Sequence, residues 1–121
     1  MTDLEVLNII KTWRIPFKLG YSSPYGADCA GFIELYYGLI GLKLDLSDIK
    51  RQRRLPLSYF EEILTIKGFV KDGEGELGLL PLSSENHLGI ILIDRFIHQS
   101  LGGTQIVELP SDTIRYTLIT D

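Results

Sequence analysis

Apolar residues recur at helical spacing in the first half of the chain and crowd into short β-rich runs in the second. Leu4, Leu7, Ile10 and Trp13 form a stripe that predicts a helix over 3–14, with Asp3 and Glu5 at its positive end and Pro16 as its stop. Residues 16–28, with Gly20, Pro24 and Gly26, read as a loop. A second helix is predicted from Asp28 or Cys29 to Leu39 or Ile40. Asp28 is an N-cap type, Phe32, Leu35, Tyr36 and Leu39 make one apolar face, and Gly38 and Gly41 mark the end. Residues 43–56 are polar and irregular, and their basic run Lys50, Arg51, Arg53 and Arg54 reads as solvated surface. A third helix is predicted over 58–67, with Ser58 and Glu61 as a capping box and Gly68 at the end.

From residue 69 the period changes. Runs at 69–71, 76–82, 87–94, 95–100, 104–109 and 113–119 are rich in Ile, Leu, Val and Thr, and glycines and prolines separate most of them. Asp94-Arg95 and Gly102-Gly103 read as tight hairpin connections. Helices followed by an antiparallel meander predict an α+β fold, with N-terminal helices packed on an antiparallel β-sheet. No internal repeat or linker interrupts the sequence, so 1–121 reads as a single domain.

Composition narrows the function classes. The chain carries 12 basic and 16 acidic residues, a net charge of −4, which disfavours general nucleic-acid binding. One cysteine excludes an internal disulfide, and one cysteine with two histidines cannot supply a four-ligand Cys/His zinc site within one chain. The acidic start Met-Thr-Asp-Leu-Glu is not a secretory signal, and the longest apolar run, Leu88 to Ile93, is too short for a membrane helix. The expectation is no membrane span and no metal or organic cofactor.

Three residues can carry nucleophilic chemistry. Cys29 falls at a predicted helix start, where unpaired N–H groups and the helix dipole stabilise a thiolate. A buried structural cysteine is the competing reading. Gly31 narrows the first turn, so a substrate backbone has room to approach. His87 opens the run Leu88-Gly-Ile-Ile-Leu-Ile93, and His98 lies on the next run. Pairing about Asp94-Arg95 sets His98 closer to Ile91 than to His87, so spacing alone does not establish contact between the rings. A thiol, a base and an orienting group are what nucleophilic amide chemistry requires.

The run Asp28-Cys29-Ala30-Gly31-Phe32-Ile33 resembles the Asp-Cys-Ser-Gly-Phe/Leu-Val nucleophile motif of the NlpC-type cell-wall cysteine peptidases. Pro16-Phe17, Gly20 and Ser23-Pro24 continue the resemblance upstream, and Tyr37 and Gly41 continue it downstream. Glu74-Gly75-Glu76-Leu77 resembles that family's Gly-Asp-Leu/Ile segment. His87-Leu88-Gly89-Ile90 resembles its His-Val-Gly-Ile strand, and Phe96-Ile97-His98-Gln99-Ser100 the segment bearing its second polar catalytic residue. The ordered matches cover about residues 4 to 109.

The resemblance implies a compact papain-like domain that cleaves peptidoglycan stem peptides, often at the γ-D-glutamyl to diamino-acid bond. It implies Cys29 as nucleophile, His87 as general base and acid, and His98 as the residue that orients His87. The Cys29 N–H would be an oxyanion donor, and Asp28, Tyr21 and Tyr25 would lie on the substrate side. The family's tyrosine near the oxyanion site is replaced by Phe17, its serine after the cysteine by Ala30, and its Gly-Asp by Gly75-Glu76. Tyr21 and Tyr25 are the candidates to supply the missing hydroxyl. The short chain, the residue after Cys29 and Gly41-Leu42 resemble the small members attached to bacteriophage tails. That context implies tail hub or tail-tip partners, and a location in the virion or, before release, the host cytoplasm. A catalytically weak peptidase-like structural module of such a particle is the alternative, and a thiol amidase or acyltransferase on another amide is a third.

Overall fold

The computed structural model describes residues 2–23, 25–49, 56–81 and 86–119. The chain forms α1 (Asp3–Lys11), a small hairpin of β1 (Ser22–Ser23) and β2 (Gly26–Ala27), α2 (Cys29–Leu39) and α3 (Leu57–Ile66). Then come β3 (Phe69–Lys71), β4 (Leu77–Pro81), β5 (Asn86–Leu92), β6 (Arg95–Ser100), β7 (Gly103–Glu108) and β8 (Ile114–Leu118). The architecture is α+β, with helices packed on an antiparallel sheet. Among the described residues no helix is long and apolar enough to cross a membrane.

Helix α1 is shorter than its stripe predicts. Thr2 and Glu5 close a capping box at its start, and Thr12 caps its end. Val6, Leu7 and Ile10 face the core, whereas Leu4 is exposed. Trp13 lies beyond the helix and meets Phe32 of α2 edge to face, with ring centroids 5.9 Å apart. Helix α3 begins at Leu57 behind Pro56 with no side-chain cap, so the Ser58–Glu61 capping box does not form. Glu61 instead pairs with Lys71, and burial of Phe60, Ile63 and Leu64 fixes the helix on the sheet.

The segment before α3 is less polar in the structure than in the sequence. Leu46 and Ile49 are buried, and the Leu46 N–H donates to Glu34 of α2 at 2.7 Å. The basic run from Lys50 to Arg54 lies outside the described residues.

The six-stranded sheet has the order β3-β8-β4-β5-β6-β7, all neighbours antiparallel. The expected meander holds only from β4 to β7. The last strand returns to lie between β3 and β4, and Glu76 accepts the Thr117 hydroxyl at 3.0 Å to tie it there. Leu77, Leu79, Leu88, Ile90, Leu92, Ile97 and Tyr116 join the helices in one core. Each fully buried large apolar side chain contributes roughly 1.5–3 kcal/mol.

Candidate active site

The nucleophile candidate is positioned by its own loop. Residues 16–28, expected to be irregular, contain the β1–β2 hairpin, and Phe17 bridges Ala27 beside it. Cys29 is the first residue of α2 and is 7% exposed. Asp28 caps the helix as expected, but it is 1% exposed and both carboxylate oxygens are taken by backbone. One accepts the Gly31 N–H at 2.7 Å, and the other accepts the Gly20 N–H at 2.8 Å. Asp28 therefore holds the cysteine's loop in addition to capping α2.

Gly31 is reassigned. A Cβ there would run into the Tyr21 carbonyl oxygen and lie 3.1 Å from Asp28 Oδ1. The close approach is made by the chain's own backbone rather than by a substrate. The Asp28 N–H donates to this same Tyr21 carbonyl at 3.2 Å. Tyr21 thus braces the start of α2 through its main chain, while its ring carries the Lys18 ammonium 4.1 Å from its centroid. Tyr25 sits at the hairpin turn and is 89% exposed.

The two histidines do meet. Ile93 and Asp94 have φ of 50° and 58° and form the β5–β6 turn, followed by the pair Leu92↔Arg95. Two central residues at positive φ match the twist of the flanking strands. This turn replaces the expected Asp94-Arg95 connection and shifts the register, so that His98 faces Gly89 instead of Ile91. Sequence reading misses it because β-branched isoleucine is a poor residue for positive φ. The β6–β7 turn likewise closes one residue early, with Ser100 paired to Gly103.

In the observed register His87 and His98 are diagonal neighbours on one sheet face. Their ring centroids are 5.8 Å apart at an interplanar angle of 85°. Phe96 stacks on His98 at 5.3 Å and 29°. Gly89 makes room for this group, because a Cβ there would come within 2.6 Å of the Phe96 ring and 2.8 Å of the Ile97 carbonyl. The contact between the histidines is edge to face, and His98 Nδ1 is buried without a hydrogen-bond partner.

Helix α2, which Cys29 opens, packs against β5 and β6, the strands that carry the pair. Sequence reading passed over Gln99, a buried side chain that donates from Nε2 to the Ile15 carbonyl at 2.7 Å. Its Oε1 accepts the Thr104 hydroxyl at 2.6 Å. It fastens the segment leading to Phe17 onto β6, and its only sequence signal is a polar residue inside an apolar strand.

Burial, and secondarily the charge of His87, push the His98 pKa below its ordinary 6.5. Folding therefore favours the neutral ring. Above the ordinary value the ring is neutral in both states and its contribution to stability is complete. As the pH falls below it, the unfolded ring protonates first, and stability is lost until the folded ring also protonates. Replacement by His98→Gln is expected to shrink the fall in denaturant midpoint between about pH 7 and about pH 5. An unchanged pH slope would count against this linkage.

Among the described residues no group of three or more His, Cys, Asp or Glu has an arrangement that could hold a metal ion. Neither a family model nor a curated protein matches the chain.

Proposed function

We propose that this chain is a thiol hydrolase of papain-like, NlpC type that cleaves an amide bond of peptidoglycan stem peptides. The observation that carries the reading is a cysteine opening a helix that packs on the two strands bearing a touching histidine pair. The ordered resemblance of residues 4 to 109 to the NlpC-type motifs supplies the substrate class.

In this mechanism the Cys29 thiolate attacks the carbonyl carbon while His87 carries the proton. The C–N bond breaks as His87 passes that proton to the leaving amine, which leaves a thioester on Cys29. His87 then takes a proton from water. The hydroxide displaces Sγ to give a carboxylate product and the free thiol. His98 keeps the His87 ring in place by its edge-to-face contact, and the Cys29 N–H at the start of α2 is the donor for the developing oxyanion. The γ-D-glutamyl to diamino-acid bond is the proposed target, and a phage tail hub or tip is the proposed setting.

The test is digestion of purified peptidoglycan, read as released fragments by mass spectrometry. New amino and carboxyl ends at one stem-peptide bond are expected, and prior alkylation of the thiol should suppress them. Silence across several wall types would overturn the reading.

A structural module with little or no hydrolysis is the second reading. It is favoured by Phe17, which carries no hydroxyl, and by the buried His98 Nδ1, which has no hydrogen-bond partner. A stoichiometric complex with tail proteins, unaffected by loss of the thiol, is its expected signature.

A further inference from the structure

A groove of about 510 Å³ runs between residues 13–17 and the β6–β7 turn, with walls formed by Trp13, Arg14, Phe17, Leu101 and Thr104. Its Phe17 wall is backed by the segment that leads into Cys29. Phe17 bridges Ala27, which is two residues before Cys29, and Gln99, next to His98, ties the Ile15 carbonyl to β6. One wall therefore belongs to the segment paired with the loop that sets Cys29, and the other to the turn that follows the strand bearing His98. The buried Gln99 bonds, at 2.7 Å and 2.6 Å, fix the spacing between them.

The chemistry of the lining is one-sided. Among the described residues that form it, Arg14 alone is charged, and the rest are aromatic, aliphatic, glycine or threonine. The chain as a whole carries a net charge of −4, so its overall field repels anions. A guanidinium at the edge of an otherwise neutral, partly apolar groove is a fork for a carboxylate whose neighbouring atoms rest on aromatic surface. Nearby Lys18 is turned to the Tyr21 ring, 4.1 Å from its centroid.

We infer that this groove holds a carboxylate-bearing residue of the peptide substrate next to the bond attacked by Cys29, and that Arg14 is the residue that selects for the free carboxylate. This rests on the hydrolase reading for the identity of the peptide, but not for its test. Wall peptides whose carboxylates are amidated should be bound less well, so the site would discriminate between amidated and unamidated walls.

Binding can be measured without turnover on the Cys29→Ala protein, by NMR titration with L-alanyl-γ-D-glutamyl-L-lysine and with its fully amidated counterpart. The free-acid peptide is expected to bind at least about fivefold more tightly, since hydrogen bonds to charged groups exceed neutral ones. Adding Arg14→Gln should abolish that preference, and Arg14→Lys should restore part of it. Arg14 is exposed, so the thermal midpoint of these variants should not move.

Equal affinity for the two peptides, no binding of either, or a preference that survives Arg14→Gln would each overturn the inference. Wall fragments released by the protein with Cys29 intact, together with no effect of Arg14, would overturn the inference and spare the hydrolase reading. Carboxylate-selective binding without fragments would do the reverse.

Discussion

Replacing Cys29 by alanine is expected to lower fragment release from peptidoglycan by at least about 10⁴-fold, the scale seen when a covalent nucleophile is removed. No other thiol is present to take over the attack. The substitution removes one sulfur from a side chain that is 7% exposed at the first position of α2. The cap is unaffected, because Asp28 holds the Gly31 N–H without help from the thiol. The stability cost is therefore expected to be about 1 kcal/mol or less. Circular dichroism and a denaturant titration check the fold, and fragment yield checks the chemistry. Activity retained above about a hundredth of the original would show that Cys29 is not the nucleophile.

A second variant should damage the same site without touching any reacting atom. In Gly31→Ala the new methyl would press on the Tyr21 carbonyl oxygen and lie 3.0 Å from its carbon. Neither neighbour is the flexible end of a side chain. The Tyr21 carbonyl also receives the Asp28 N–H, so any retreat of the loop breaks the brace at the start of α2. A loss of about 3 kcal/mol or more is expected, at the upper end for overpacking, because backbone has to move. The thiol should also become easier to alkylate as its loop loosens. A variant within about 1 kcal/mol of the parent with an unchanged alkylation rate would mean that the loop yields freely at this point.

The sequence made the helices and most strands legible where side-chain period and burial agree. Phe32 and Tyr36 face the core as their spacing demands, and Asp28 caps α2 as its chemistry demands. Leu4 fitted the stripe of α1 but lies on its solvent side, since one turn of a short helix cannot be oriented by spacing alone. The return of β8 into the middle of the sheet leaves no local trace, because Ile114–Leu118 reads the same beside any neighbour. The histidine contact was hidden by a turn. The unexpected positive φ at Ile93 moves the pairing of β5 with β6 by two residues, which is the difference between His98 facing Ile91 and facing Gly89. Cys29, His87 and His98 were visible as residues. Gln99 and the second task of Asp28 were not, since both depend on partners distant in the chain.

The position of β8 also bears on how the molecule assembles. Strands β4 to β7 follow one another through short connections, so they can zip locally and quickly. The edge strand β3, in contrast, has β8 as its sole sheet neighbour, so its place is empty until the final strand arrives. Until then β4 presents a bare ladder of N–H and C=O groups, open to pairing with another chain. As the polypeptide emerges from the ribosome, the histidine-bearing hairpin can form well before the sheet is sealed. The late entry of β8 is the step at which aggregation competes with folding.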